Sequence, residues 1–471
     1  MKQLNRNTVS VQKRPIKVLQ FGEGNFLRGF VDWIFDILNE KTDFNGDIQI
    51  VQPIENGMEM LINQQEGLYH VLLEGLLDHK KTQKTRLITS VRGVLNPYKD
   101  YKAFLKLGKN PDLEFIISNT TESGIALDER DKDFNTLPNS FPGKLTALLF
   151  YRFLHLKGDN IKPITIIPCE LIDRNGDKLK ENILRYAWIW RLPDGFKIWL
   201  DKNVSFCNTL VDRIVPGFPR DTIKTVQKNI GYEDHLVVKA EPFHLWVIET
   251  PNDNIHQKLP IEGTGLNIKY VTDKTPYRTR KVRILNGAHT ALVPFGYLNG
   301  IRFVREAVEN ELTISFLHQI IFDEIIPTLD LPKEELEYFA EAVIERFKNP
   351  FIDHLLISIA LNSISKFKVR VLPTILSYLE RKGKLPEKLV QSFAWLLVFY
   401  RGYYDDKTIP LKDDQSVISF FQEIWKNEDL DTIIEKILEN TMLWDTNLNK
   451  VPLLHATLSH EIKNILLKTV F

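Results

Sequence analysis

The stretch "IKVLQFGEGNFLRGFVDWIFDILNE", residues 16–40, decides the fold. Its first part, IKVLQF (16–21), is a short apolar run of strand length that stops at a glycine. Its last part, VDWIFDILNE (31–40), carries helical periodicity. Between them Gly22 and Gly24 follow a strand directly and precede a helix. That is where a dinucleotide pyrophosphate approaches the backbone, and a side chain there would block it. The third glycine of a G-x-G-x-x-G turn would fall at Leu27; Gly29 comes two residues later, and Arg28 offers a charge to phosphate. Two glycines alone also fit a plain tight turn, and the strand–turn–helix context is what points to a nucleotide.

Working outward, DIQIVQPI (47–54) reads as a second strand. In dinucleotide-binding folds an acidic residue after that strand takes the ribose hydroxyls of NAD. Here the strand ends in Gln52, with Glu55 further on. Gln52 can bond a ribose hydroxyl but does not repel a 2′-phosphate, so the residues leave NAD and NADP open. YHVLLEGL (69–76) and TRLITSVRGVL (85–95) look like further strands, a hairpin inserted into the pattern. The basic run HKKTQKTR (79–86) reads as a solvated turn rather than a phosphate patch. LEFIISNTTESG (113–124) and PITIIPCEL (163–171) are apolar strands with polar ends. Strand and helix in alternation predict an α/β, Rossmann-type domain with a mostly parallel sheet, over residues 1–277.

From residue 278 to 471 the pattern turns helical, as in LTISFLHQIIFDEIIPTL (312–329), KEELEYFAEAVIERFKN (333–349) and DLDTIIEKILENTMLW (429–444). Prolines at 332, 350 and 373 punctuate it. A mostly α-helical C-terminal domain is expected, and SFAWLLVFY (392–400) is short enough to be a buried core helix rather than a membrane span.

Bulk properties narrow the classes. The 471 residues carry 61 basic and 61 acidic side chains, so no global field draws the chain to nucleic acid or a membrane surface. Two cysteines, Cys169 and Cys207, supply neither a disulfide framework nor a zinc site. The basic N-terminus lacks the apolar core of a signal peptide, and a cytoplasmic protein is the expectation. The sequence sets no oligomeric state.

KVRILNGAHT (281–290) places Lys281, Asn286 and His289 within nine residues, on what reads as a helix start. On a wheel stepped by about 100°, with Lys281 at zero, His289 falls near about 80° and Asn286 near about 140°. A lysine whose proton affinity is lowered by burial can pass a proton to or from a hydroxyl. Asparagine and histidine can hold the same oxygen as charge builds on it. The bland alternative is a solvated lysine, an Asn286–Gly287 turn and a histidine bonded to a carbonyl. Asn-Gly inside an apolar-periodic stretch conflicts with an ordinary exposed helix. Tyr98 and Lys102, in YKDYK, mimic a short-chain dehydrogenase pair only by chance of spacing.

At these residues the chain resembles the mannitol dehydrogenase family of polyol-specific long-chain dehydrogenases, whose K-x4-N-x2-H signature is met by Lys281, Asn286 and His289. FGEGNFLR (21–28), NTTESG (119–124), VDRIVP (211–216) and RFKNPFIDH (346–354) agree with it. The resemblance implies metal-independent hydride transfer with NAD, with Lys281 as general acid or base and Asn286 and His289 polarising the reacting oxygen. It implies cofactor contacts from Phe21, Gly22, Gly24, Asn25, Phe26, Arg28, Gln52, Thr120, Glu122 and Asp212, with Asp212 also near substrate. Two positions depart from the polyol pattern: Leu171 where a substrate-contacting asparagine is usual, and Ser358 where an arginine is usual. They put mannitol in doubt and fit a hexuronate, whose carboxylate needs a cation; Lys366 is the first candidate and Arg370 the second. The implied activity is NADH-dependent reduction of D-tagaturonate to D-altronate in hexuronate catabolism. Fructuronate, mannonate or polyol dehydrogenation in the same family is the alternative, and a nucleotide-binding sensor is the non-enzymatic one.

Overall fold

Ile16–Phe21 (β1) lies inside a six-stranded parallel sheet in the computed structural model, which describes residues 1–121, 123–156, 162–251, 254–426 and 429–467. The other strands are Asp47–Val51 (β2), Val91–Leu95 (β3), Phe115–Ser118 (β4), Ile164–Pro168 (β5) and Val204–Phe206 (β6). Their order is β3-β2-β1-β4-β5-β6, and every pairing is parallel. The order reverses between β1 and β4, which opens a crevice at the carboxyl ends of those two strands.

The side-chain alternation of the strands builds two cores. Val18, Ile48, Ile50, Phe115 and Ile117 face one way and pack on Val31, Ile34, Phe35 and Leu38 of the helix Val31–Lys41. Leu19, Phe21, Val51, Ile116 and Ile166 face the other way, onto Leu145, Leu148 and Leu149 of helix Phe141–His155 and onto Leu179 and Ile183 of helix Asn175–Ile189. Both faces are covered, which is why these strands read as continuous apolar runs.

Tyr69–Leu77 and Lys80–Ile88 form the expected antiparallel hairpin, in register from Tyr69 opposite Ile88 to Leu77 opposite Lys80. Asp78 and His79 close it with φ of 50° and 61°, as a two-residue turn between right-twisted strands requires. The basic run 79–86 is thus mostly strand, not turn, and its exposed lysines line a sheet edge. TRLITSVRGVL is split: its start belongs to the hairpin, and Val91–Leu95 joins the parallel sheet. A further sheet of Asn208–Asp212, Leu245–Glu249 and Ile268–Val271 completes the unit Met1–Lys274.

The second compact unit, Thr275–Phe471, is helical. Helix Glu387–Phe399 is buried on nearly all sides from Leu389 onward, as a core helix should be, and packs on Ala288–Leu298 and Leu454–Leu467. Ser392 Oγ inside it donates to the carbonyl of Ala291 at 3.1 Å. Pro373 lies in the first turn of helix Leu372–Lys382 rather than in a connecting turn. Among the described residues no helix is long and apolar enough to cross a membrane.

Two glycines of the first unit separate conformational from steric demand. Gly67 has φ +79° and Gly231 φ +78°, but a Cβ on Gly67 would stand 2.3 Å from the carbonyl oxygen of Val91, whereas one on Gly231 meets nothing within 4 Å. Gly231→Ala should cost about 1 kcal/mol of stability for the left-handed backbone alone, and Gly67→Ala at least about 2 kcal/mol. Urea unfolding of both variants checks this; equal losses would contradict the close approach at Val91.

Candidate active site

KVRILNG is not a helix start. Thr275–Arg280, Lys281–Gly287 and Ala288–Leu298 form one continuous helical rod, and its middle segment is a π-helix. Such i→i+5 segments occur often at functional sites. The pitch corrects the wheel: at about 80° per residue, Asn286 moves from about 140° to about 40° from Lys281, and the trio falls within an arc of roughly 80°. Asn286–Gly287 is no turn either, because both residues are helical. Gly287 is there for contact: a Cβ would stand 3.2 Å from the carbonyl oxygen of Arg370.

That contact seats the rod against the end of helix Ser363–Arg370. Arg283 Nη1 donates to the carbonyls of Val369 (3.2 Å) and Arg370 (3.3 Å), which lack helical partners at this terminus. Arg370 Nη1 reaches Thr290 Oγ1 at 3.4 Å, and Thr290 Oγ1 donates to the carbonyl of Asn286 at 2.8 Å. The helix bearing both cation candidates is thereby fixed beside the trio.

His289 stacks on Phe347, with ring centroids 4.0 Å apart, and meets His354 edge-on at 5.8 Å. Burial holds its pKa well below the usual value, and His354, Arg346, Arg370 and Lys366 add positive charge that works the same way. The imidazole is therefore neutral in a cationic surround. Its Nε2 is shielded and has no hydrogen-bond partner among the described residues. Lys366 Nζ donates to the carbonyl of Ile359 at 2.9 Å, and burial, then Arg370, lowers its pKa. Arg346 and His354 were not singled out from the sequence as site residues. Their signal was RFKNPFIDH, whose ends lie eight residues apart and converge on one ring only through the chain reversal after Phe347.

In the first unit the glycine turn divides the expected cofactor residues into exposed and buried. Gly24 and Asn25 are exposed, and a Cβ on Gly24 would meet nothing within 4 Å. Gly22 has φ +122° and lies against the carbonyl of Asn119, so no side chain fits. Phe26 is half-buried and stacks on Phe30 at 5.1 Å. Phe21 points into the core, between Phe104 and Phe141, and only its backbone belongs to the turn. Arg28 is 1% exposed and donates to the carbonyls of Glu23 (3.0 Å) and Leu236 (2.6 Å) and to Asn25 Oδ1 (2.8 Å). It braces the turn from beneath, a different use from the phosphate charge expected of it.

Gln52 is also taken up by the protein. Its Nε2 donates to the carbonyls of Ile54 and Glu55, both at 2.9 Å, and its Oε1 accepts the Glu59 N–H at 3.1 Å. This corrects the reading of Gln52 as a free ribose ligand. Thr120 donates through its N–H (3.0 Å) and Oγ1 (2.9 Å) to Glu170 Oε1, and Glu170 is buried. Asp212 ends its strand, 4% exposed. Glu122 lies outside the described residues. Of the two departing positions, Leu171 is 64% exposed, and Ser358 Oγ donates to the carbonyl of Leu355 at 2.7 Å.

Residues 16–263 match the family model of the mannitol dehydrogenase Rossmann domain, and residues 273–466 match that of the mannitol dehydrogenase C-terminal domain. The chain belongs to the mannitol dehydrogenase family. Among curated relatives it is 48% identical to the altronate oxidoreductase of Bacillus subtilis (strain 168), covering 96% of this chain and 93% of that one. It is 45% identical to the altronate oxidoreductase of Bacteroides thetaiotaomicron, covering 99% and 97%. The fold is shared with Pseudomonas fluorescens mannitol 2-dehydrogenase, solved as a ternary complex with NAD and D-mannitol (TM-score 0.70, 21% identity, 100% of this chain and 99% of that one). A substrate-free D-sorbitol dehydrogenase gives TM-score 0.82 at 23% identity, covering 100% and 99%.

For this member of the mannitol dehydrogenase family, the packing around His289 makes a pH prediction. A histidine with a lowered pKa stays neutral above that value, so the His289 ring should show no protonation step between about pH 6 and 8. Its carbon-bound ring resonances, assigned by comparison with His289→Asn, should be flat across that range. A titration centred near the ordinary histidine value would contradict the half-buried, cation-flanked environment.

Proposed function

We propose that the protein is an NADH-dependent altronate oxidoreductase, which reduces D-tagaturonate to D-altronate and runs the reverse oxidation at the same residues, in hexuronate catabolism. The observation that carries this reading is the cationic surround of His289, in which Lys366, Arg370 and Arg346 gather beside the Lys281–Asn286–His289 rod. A sugar acid brings a carboxylate to such a place, and a polyol does not. Relatives named altronate oxidoreductase, 43–48% identical over nearly the whole chain, support it.

The open backbone at Gly24 and the excluded side chain at Gly22 fit a dinucleotide phosphate. Gly22, Gly24, Asn25, Phe26 and Thr120 would hold the cofactor, with Asp212 toward its nicotinamide end. In this division of labour residues 1–277 bind dinucleotide and residues 278–471 bind substrate and handle the proton. NAD(H), when bound, supplies the hydride to the keto carbon or takes it from the carbinol carbon. Lys281 Nζ gives the proton that turns the carbonyl oxygen into a hydroxyl, and takes it back in the oxidation. Asn286 donates a hydrogen bond to that oxygen as negative charge grows on it. The unpartnered Nε2 of neutral His289 is left for the same oxygen or its neighbouring hydroxyl. Lys366 and Arg370 bind the carboxylate and set the chain of the substrate along the rod.

Absorbance of NADH over a panel of tagaturonate, fructuronate, fructose and mannitol tests the substrate. Turnover should be fastest with tagaturonate; turnover confined to fructose or mannitol would overturn the reading, and NADH binding without any turnover would mark a sensor. Lys281→Ala should lose about 100- to 10,000-fold in kcat while its NADH Kd, from fluorescence, stays within about twofold. Arg370→Ala should raise KM for the uronate far more than it lowers kcat.

A further inference from the structure

The end of β2 lacks the carboxylate that takes ribose hydroxyls, and Gln52, which stands there, has both amide hydrogens and its oxygen engaged by residues 54–59. A carboxylate reaches the same place from the glycine turn. Glu23, the middle residue of Gly22-Glu23-Gly24, is 6% exposed. A Cβ on Gly57 would stand 2.1 Å from Glu23 Oε1 and 2.5 Å from Gln52 Oε1, so the two side chains end in one pocket of space beneath residue 57. Glu23 Oε1 accepts a long 3.4 Å bond from the Met58 N–H, and the residue's own N–H also faces the carboxylate. Its Oε2 is shielded and has no partner among the described residues.

A buried carboxylate oxygen without a donor is costly, and it persists where a ligand completes it. We propose that Glu23 reads the adenosine ribose of the dinucleotide and sets the preference for NAD over NADP. The inference rests on the dinucleotide reading of the first unit. Two vicinal ribose hydroxyls offer two donors to one carboxylate. A 2′-phosphate offers none and adds like charge at a site of low dielectric. Arg28, whose Nε holds the carbonyl of Glu23 at 3.0 Å, fixes the backbone from which the side chain springs and favours its ionised form. Burial works against that form and raises the Glu23 pKa, so a hydroxyl donor from the ligand also steadies the charge. Residues 54–57, exposed and without regular structure, pass close to the carboxylate at Gly57.

The experiment is direct binding to the full chain, with NADH and NADPH as probes, by fluorescence titration and calorimetry, for the wild type, Glu23→Gln and Glu23→Asp. The wild type should bind NADH at least about 30-fold tighter than NADPH. Glu23→Gln, which keeps the shape and removes the charge, should weaken NADH about 5- to 10-fold and tighten NADPH about 10-fold. Glu23→Asp should keep the wild-type preference while binding both more weakly. If the Kd ratio of Glu23→Gln equals that of the wild type, or if the wild type binds the two alike, the assignment to Glu23 is overturned while dinucleotide binding stands. If the wild type binds neither probe, the dinucleotide reading itself fails. Equal weakening of both probes in Glu23→Gln, with a lowered Tm, would show a purely structural carboxylate and also overturn the proposal.

Discussion

The seat of Gly287 against the carbonyl of Arg370 is the contact on which the helical unit's candidate site depends. It lets two helical elements approach closely, since a Cβ at this position would stand 3.2 Å from that oxygen and force the neighbour to give way. Arg283 then caps the exposed carbonyls of the shorter helix, and Arg370 returns to Thr290 on the rod. These contacts support each other: the cap depends on the approach, and glycine eases the approach. Held this way, Lys366 and Arg370 stay beside the trio, while Phe347 and His354 cover the His289 ring from another part of the chain. The gathering of cations around a neutral imidazole is an electrostatic cost that an anionic ligand would relieve.

In the first unit the equivalent constraint is the braced turn after β1. Parallel strands covered on both faces leave the carboxyl ends as the open place for a ligand. Arg28 turns inward to hold the carbonyls of Glu23 and Leu236, so the turn keeps its shape without a ligand. Glu170 does similar work for the loop after β4, accepting from Ser118 and Thr120. Both charged groups serve the backbone of the candidate cofactor site rather than the surface it presents.

Much of this was legible in the chain. Alternation of apolar runs with helical periods announced the parallel sheet, because a strand buried on both faces must be apolar throughout. The glycine pair was legible because backbone approach has one residue type as its solution. SFAWLLVFY announced a core helix by being apolar around its whole circumference. The trio was visible by spacing, but its pitch was not. A wheel assumes α geometry, and nothing local in KVRILNG marks the i→i+5 segment except the odd Asn-Gly pair. Arg28 and Gln52 misled for one reason: the sequence shows a side chain's donors and acceptors but not which of them the protein's own carbonyls and N–H groups have already claimed.

By itself the sequence determined the class of both units, the position of the glycine turn and the identity of the clustered Lys281, Asn286 and His289. These follow from short-range rules, in which periodicity, steric demand and residue chemistry act within a few turns of chain. Tertiary structure alone decided which charges are spent and which are free. It turned Arg28 and Gln52 inward, left Glu23 Oε2 and His289 Nε2 without partners among the described residues, and brought Arg346 and His354 to a ring some sixty residues away. The reason is that hydrogen-bond satisfaction and desolvation are set by whatever packs against a group, and those neighbours come from distant parts of the chain.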